Sequence, residues 1–546
     1  MATASYEHGA SATPLSAETL GESLRHTVER FGDREALVVR HQGYRATYDE
    51  LWEQVGTAAR GLLAHGVQKG DRIGIWSPNR YEWVIVAHAA VRVGAILVNV
   101  NPAYKASELE YALNQSGITL LILSRGFRQT SYVEILAEIR PRCPNLREAL
   151  VLEDDWETLL ADGARVVQSA LAEREAALQF DDPISIQYTS GTTGAPKGAT
   201  LSHHGLVNNA IMIADLLHYT EQDRVCTPVP FYHCFGHVGG ILVCAAVGAC
   251  LVVPSEAFDA LAVLEAVHEE LCTSLYGVPT MFIAELDHPR FSELDLTSLR
   301  TGIMAGAPCP VEIMKRVDTE MHMHEVAIAY GMTETSPVLT FTRVDDTIER
   351  RVTTVGQAFP HIEVKIVDPA TGVTVPRGVP GEVCGRGFGV MLGYWENPEA
   401  TAYAIDPARW MHTGDLGTMD DEGYVNIVGR IKDIIIRGGE NISPREIEEY
   451  LYTHPDVAEI QVIGVPSERY GEEVMAWIKL RDGASVSDED LAAYCRGKIA
   501  TFKIPRYWKR VDSFPMTVTG KIQKFRMREI AIEELRLEQA AAVVTA

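Results

Sequence analysis

Ten residues, Thr189-Ser-Gly-Thr-Thr-Gly-Ala-Pro-Lys-Gly198, bring together four hydroxyls, three glycines and one lysine with almost no apolar side chain. That composition suits phosphate. Glycine lets the backbone approach closely, hydroxyls and free N–H groups donate, and lysine supplies charge. Taken alone, a Ser/Thr/Gly-rich run also reads as a linker. It is not the common P-loop either, because Lys197 stands three residues after Gly194 and is followed by Gly198. The flanking elements must do the positioning. Pro183 to Tyr188 alternates in polarity as a strand does, and Ser202 is placed to cap a helix running through Leu217. The run is therefore expected as a phosphate-binding loop between a strand and a helix.

Further chemistry-bearing segments follow in order. They are Tyr330-Gly-Met-Thr-Glu-Thr-Ser-Pro337, His412-Thr-Gly-Asp-Leu416, Gly429-Arg-Ile-Lys-Asp433, Gly438-Gly-Glu-Asn-Ile442 and Thr519-Gly-Lys521. Together with the first loop, this ordered set resembles the adenylate-forming enzymes: acyl-CoA synthetases, firefly-type luciferases and the adenylation domains of peptide synthetases. The nearest likeness is to the AMP-forming ligases of medium- and long-chain fatty acids. The resemblance implies an α/β fold: a large N-terminal part of two doubly wound layers plus a β-rich subdomain, and a small mobile α+β C-terminal domain.

The implied reaction joins a carboxylate to the α-phosphorus of ATP, releasing pyrophosphate, and then passes the acyl group from AMP to a thiol. Such phosphoryl chemistry rests on positioning and charge neutralisation. The resemblance assigns ATP binding to Thr189, Ser190, Gly191, Thr192, Thr193, Gly194 and Lys197, and to Gly306, Ala307, Pro308, Tyr330, Gly331 and Met332. Tyr330 would stack on adenine. Thr333 would donate to the α-phosphate, Asp415 would accept from the ribose hydroxyls, and Arg430 would touch the ribose edge. Glu334, with Thr192, is expected to hold Mg²⁺, which favours a few carboxylates and substrate phosphates. Lys521 would bridge the attacking carboxylate and the α-phosphate. At about 4 Å and an effective dielectric near 20 that attraction is about 4 kcal/mol. Roughly 10³ in rate is then at stake.

The likeness also makes Asp433 the hinge and Gly438, Gly439 and Glu440 the lining of a tunnel for CoA. Residues 497–510 carry Lys498, Lys503, Arg506, Lys509 and Arg510 and no acid, so they are a candidate site for the CoA phosphates or simply a solvated basic face. His233, in His233-Cys-Phe-Gly-His237, would gate the acyl carboxylate. The i, i+4 histidines carry no accompanying carboxylate, which argues against a metal. The expected acyl pocket walls, 235–241, 276–282, 304–307 and 335–338, hold no charged residue except His237, which fits an aliphatic acid. Alternatives of the same fold are an aryl-acid CoA ligase and an acyl-AMP ligase loading a carrier protein; a nucleotide or lipid binder without activity would not need the assembled set.

The 546 residues predict roughly three or four structural units. The formal charge of −25 argues against nucleic acid as a partner. The substrates are expected to be small molecules (carboxylic acid, ATP, CoA). No secretory or transit pattern opens the chain, and the apolar run 238–253 is shorter than a bilayer requires. Nine scattered cysteines read as buried thiols of a reducing, cytoplasmic setting. Peripheral membrane contact and the choice of monomer or homodimer stay open. Helix and strand patterns alternate, with helices expected at 51–65, 81–93 and 107–116 and strands at 71–76 and 96–100. The expected division is an N-terminal domain of residues 1–432, with layers at about 15–180 and 181–345 and a β-rich part at 350–430, and a C-terminal domain of residues 433–546.

Overall fold

The computed structural model describes residues 3–189, 196–307, 309–438, 440–517 and 522–541, without the side chains of Asn441 and Ala541. Ser190, Gly191, Thr192, Thr193, Gly194, Pro308, Gly439 and Lys521 lie outside the described residues. The chain forms two compact units, one of residues 7–364 and 385–412, the other of residues 1–6, 365–384 and 413–546. The expected boundary at 432/433 falls inside the second unit.

Two sheets dominate the larger unit. The first has seven strands in the order Gly393–Tyr394, Lys197–Ser202, Pro183–Thr189, Ile96–Asn99, Arg72–Trp76, Ile118–Leu123 and Glu148–Val151. From Pro183–Thr189 onward the neighbours are parallel, joined through helices such as Tyr81–Arg92 and Ala106–Ser116. The second has nine strands and runs from Gln357–Ala358 through Glu325–Gly331, Thr301–Ala305 and Ser274–Gly277 to Glu35–Val39 and Tyr44–Thr47. Its interior is parallel and its ends are antiparallel. Buried parallel strands read as continuous apolar runs such as Cys250–Val253, because helices cover both faces.

The sheets do not follow the two sequence segments anticipated for them. Strands Glu35–Val39 and Tyr44–Thr47, from the first segment, complete the second sheet, and Pro183–Thr189 and Lys197–Ser202 join the first. A second correction concerns the glycine-rich run itself. It does not lead directly into a helix: Lys197–Ser202 is a strand, antiparallel to Pro183–Thr189 with Thr189 opposite Lys197. Gly198 lets this strand lie flat, since a Cβ there would meet Ile186 Cγ2 at 2.7 Å. Only then does Ser202, whose hydroxyl accepts from Gly205 N–H, cap the helix His203–Leu216.

The apolar run 238–253 becomes the end of a π-helix Phe235–Leu242, a short helix Val243–Val247 and the strand Cys250–Val253. Among the described residues no helix is long and apolar enough to cross a membrane. The nine cysteines are outside any disulfide, and eight of them are buried.

In the other unit, strands Glu440–Ile442, Ile435–Arg437, Gly471–Leu480, Val457–Ser467 and Tyr507–Arg510 form a sheet. Period-two alternation splits its core. Val474, Ala476 and Ile478 pack with Ile447, Leu451 and Leu491 on one face, while Met475 and Trp477 pack with Phe514, Met527 and Ala531 on the other. A five-stranded sheet in the order Tyr6–His8, Ile362–Val367, Gly381–Gly387, Met411–Met419 and Val425–Arg430 accounts for the β-rich pattern after residue 350.

Helices Tyr48–Ala64 and Leu152–Arg165 approach through glycine. A Cβ on Gly163 would sit 2.1 Å from the Thr57 carbonyl oxygen and 2.7 Å from Gly61 N, so backbone would have to move. Gly163→Ala should therefore lower unfolding stability by about 1–3 kcal/mol, the usual range for overpacking. Thermal and urea unfolding would check this, and an unchanged midpoint would contradict it.

Candidate active site

In the larger unit the expected residues gather at the carboxyl ends of parallel strands, where α/β sheets present their ligand sites. Thr301–Ala305 ends at Gly306, which holds φ 86°, a left-handed conformation that favours glycine. Its parallel neighbour Glu325–Gly331 ends with Tyr330, half-buried, and Gly331. A single 3-10 turn, Thr333–Thr335, follows. The Thr335 hydroxyl pins that turn by accepting from Met332 N–H at 3.1 Å and lying 2.9 Å from the Pro337 carbonyl oxygen. Asn209 Oδ1 accepts from Val338 N–H at 3.2 Å.

Glu334 is 4% exposed. Its carbonyl accepts from Met391 N–H at 2.8 Å. Its carboxylate Oε1 accepts from Tyr394 Oη at 2.8 Å and from Thr189 Oγ1 at 3.3 Å. Lys197 Nζ lies 5.1 Å from the centre of the Tyr394 ring. Burial and the neighbouring carboxylate push the Tyr394 phenol well above its ordinary range, so it stays a donor. Thr189 and Glu334, 145 residues apart, are thus joined in one cluster with Lys197 through Tyr394. Tyr394 was not foreseen. Its only trace in the sequence is a Gly-Tyr pair, and nothing in its spacing ties it to Glu334.

The donor set suits a hard cation. Both hydrogen bonds fall on Oε1, and among the described residues no donor reaches Oε2. Thr333 Oγ1 lies 3.7 Å from Cys234 Sγ, which brings the turn to the segment carrying His233. His233 Nδ1 accepts from Phe235 N–H at 3.1 Å, so in the neutral ring the proton sits on Nε2. A π-helix, a form often found at functional sites, follows at Phe235–Leu242. Gly236 allows it, because a Cβ there would lie 2.3 Å from the Pro230 carbonyl oxygen. One side of this helix is apolar. The Phe235 and Tyr276 rings stack at 5.6 Å, and a Cβ on Gly239 would touch both, at 3.3 and 3.6 Å.

His237 points elsewhere. Its Nδ1 lies 3.4 Å from the amide nitrogens of both Asn99 and Gln187, and its ring meets Trp83 edge-on at 5.3 Å. This histidine belongs to a buried polar cluster rather than to a metal pair with His233.

In the second unit, Asp415 and Arg430 face each other across paired strands, with Arg430 Nε 3.3 Å from Asp415 Oδ1. The ion pair orients the carboxylate expected to hold ribose. Asp433 ends a 3-10 turn, Ile431–Asp433, where Ile434 N–H donates to the Arg430 carbonyl at 3.1 Å. Gly438 takes φ 61° and donates its N–H to the Tyr470 carbonyl at 2.8 Å. Glu440 is exposed and pairs in register with Arg437.

The basic stretch 497–510 is less free than its composition suggests. Lys503 Nζ contacts both oxygens of Glu446 at 2.6 Å, Arg506 pairs with Glu473, Lys509 with Glu534 and Arg510 with Asp488. The acids come from distant segments that a local reading of the stretch does not include. Among the described residues only Lys498 of the five cations has no ion pair.

Three histidines of the larger unit are held neutral by burial: His88 and His203 are lowered to about 4 and His237 to about 3, the last also by His88. The unfolded chain protonates near pH 6.5 and the folded chain does not, so their stabilising contribution is present above pH 6.5 and is lost as pH falls towards 3–4. Glu285, buried without a hydrogen-bond partner and raised well above the carboxylate range, acts in the opposite direction. Replacing one histidine isolates its share. Between pH 7 and 5 the native chain should lose about 2 kcal/mol more than His237→Gln in urea unfolding. Equal losses would show that His237 protonates freely when folded.

The chain matches the model of the AMP-binding enzyme family over residues 24–395, and that of the AMP-binding enzyme C-terminal domain over residues 446–521. It is 48% identical to YngI of Bacillus subtilis (strain 168) over 542 residues, spanning 96% of this chain and 98% of that one. It is 45% identical to the mitochondrial medium-chain acyl-CoA ligase ACSF2 of Danio rerio over 556 residues, 98% and 92% of the two chains. Among solved structures it resembles the anthranilate CoA ligase AuaEII in complex with anthranoyl-AMP, with TM-score 0.84, 27% identity and coverage of 96% and 99%. The parallel-strand ends, the buried Glu334 and these likenesses agree: the chain belongs to the AMP-binding enzyme family and is an AMP-forming acyl-CoA synthetase that uses ATP and CoA.

Proposed function

We propose that the acid is a medium- to long-chain fatty acid, activated in two half-reactions in the cytoplasm. In the first, a carboxylate oxygen bonds to the α-phosphorus of ATP and pyrophosphate leaves. In the second, the thiol sulfur of CoA bonds to the acyl carbon, AMP leaves and the thiol proton is released. The observation that carries the aliphatic part is the Phe235–Tyr276 stack beside Gly239, two residues beyond the segment holding His233. Such a wall offers apolar contact and no counter-charge for a polar substituent. The name of the Danio rerio relative, a medium-chain acyl-CoA ligase, points the same way.

The residues divide the work. Lys197 and the glycine-rich run, from Thr189 through Gly194, bind the phosphates, and Thr333 donates to the α-phosphate. Tyr330 and the turn Gly306-Ala307-Pro308 receive adenine, and Asp415 and Arg430 the ribose. His233 donates from Nε2 towards the acyl carboxylate. Glu334, with Thr192, holds Mg²⁺, which when bound supplies charge neutralisation on the phosphate oxygens. Lys521 bridges the two reacting anions in the first half-reaction. A mobile domain beginning at Asp433 then turns, and Gly438, Gly439 and Glu440 line the path of the thiol. Because Lys503 is held by Glu446, it reaches a CoA phosphate only by exchanging that partner.

A panel of acids from acetate to palmitate, with benzoate beside octanoate, tests the substrate. AMP and pyrophosphate should form, with aliphatic acids of eight or more carbons best. Preference for benzoate, or release of ADP and orthophosphate, would overturn the reading. Lys521→Ala should abolish acyl-AMP formation, by at least roughly 10³, yet still convert supplied acyl-AMP to acyl-CoA. Gly439→Leu should do the reverse, keeping pyrophosphate exchange and blocking thioester formation. Parallel loss of both half-reactions in either variant would remove the division of labour.

A further inference from the structure

We propose that Tyr394 is a positioning residue for nucleotide binding: it selects which oxygen of Glu334 faces the metal-bound phosphates and steadies Lys197 beside them. This rests on the assignment of Glu334 to Mg²⁺ and extends it to a side chain that none of the sequence motifs includes.

The argument begins with a carboxylate that has little access to water. Glu334 is 4% exposed, and a buried charge is tolerated only when hydrogen-bonded or paired. Among the described residues Tyr394 Oη, at 2.8 Å, is the shorter of its two side-chain donors; Thr189 Oγ1 is at 3.3 Å, near the limit of a useful bond. Both act on Oε1. A carboxylate bonded on one oxygen cannot swing freely about its last torsion, so Oε2 keeps one direction. Orienting partners of this kind commonly matter nearly as much as the ligands themselves.

Tyr394 is itself fixed. It belongs to the edge strand Gly393–Tyr394, opposite Ala199 on Lys197–Ser202. Its N–H donates to Thr401 Oγ1 at 2.9 Å, and the next residue, Trp395, donates its N–H to the Gly198 carbonyl at 2.8 Å. The strand that begins at Lys197 is therefore paired with the strand carrying the tyrosine that holds Glu334. The same ring offers its face to Lys197, whose ammonium is 5.1 Å from the ring centre, within cation–π range. One aromatic side chain thus joins the expected phosphate cation and the expected metal ligand. Its role in this reading is exerted through Glu334 and Lys197.

Binding separates the hydroxyl from the ring. In the absence of fatty acid and CoA, ATP binding is measured by calorimetry with EDTA present. Mn²⁺ binding to the enzyme–ATP complex is measured by electron paramagnetic resonance. Tyr394→Phe should weaken Mn²⁺ binding by about 10–100-fold, the range for loss of an orienting partner, while metal-free ATP affinity stays within about twofold. Tyr394→Leu, which also removes the ring, should weaken metal-free ATP binding as well. Thr189→Val, lacking the longer bond, should weaken Mn²⁺ binding less than Tyr394→Phe. If Tyr394→Phe does not fold, Tyr394→Leu decides: Mn²⁺ affinity at the wild-type level in that variant overturns the proposal. Wild-type Mn²⁺ affinity in Tyr394→Phe, or equal loss of metal-free ATP binding, also overturns it, with the adenylation reading intact. Failure of the unaltered enzyme to bind ATP would instead remove that reading and this one together.

Discussion

The Glu334 carboxylate, shut away from water, constrains how the two sheets of the larger unit meet. The cost of burying an unpaired charge is several kcal/mol, so Glu334 must find donors wherever its turn places it. Those donors come from the other sheet. Glu334 follows the strand Glu325–Gly331 of the nine-stranded sheet, while Thr189 and Tyr394 stand on strands of the seven-stranded sheet. The seam between the sheets is therefore held by the group expected to meet Mg²⁺ and ATP, and structural and functional demands fall on the same atoms. Met391 N–H on the Glu334 carbonyl adds a backbone tie across that seam.

The glycine-rich run serves this seam in a manner different from a loop at a helix start. The two strands that flank it are antiparallel, and their register sets Thr189 opposite Lys197. On the proposed function, a run flanked by two strands would meet phosphate with hydroxyls, backbone N–H groups and the lysine rather than with the field of a helix N-terminus. The π-helix Phe235–Leu242 performs a parallel separation. Its wider turn directs Phe235 towards Tyr276 and His237 towards Asn99 and Gln187, so an apolar wall and a buried polar cluster are built from one short segment.

Electrostatics in the second unit follow another rule. Arg506 and Arg437 share Glu473, and Lys503, Lys509 and Arg510 each reach an acid from a different element. Such half-exposed pairs contribute modestly to stability, but they set the local field. A run of basic residues in the sequence thereby becomes a nearly neutral surface in the fold.

Much was legible in the chain alone. Polarity of period two and 3.6 located Pro183–Thr189 and Tyr81–Arg92, and the Ser202 cap His203–Leu216, to within a residue or two, because these signals are properties of the local backbone. The motifs pointed to the family through their order along the chain; the glycine-rich run by itself also reads as a linker. What the sequence could not determine is pairing at long range. That Lys197–Ser202 is a strand, that residues 35–47 complete the second sheet, that Tyr394 meets Glu334 and that Lys503 meets Glu446 all depend on which segments come together. A residue's type declares which bonds it can make; its partner is chosen only when packing closes the space around it.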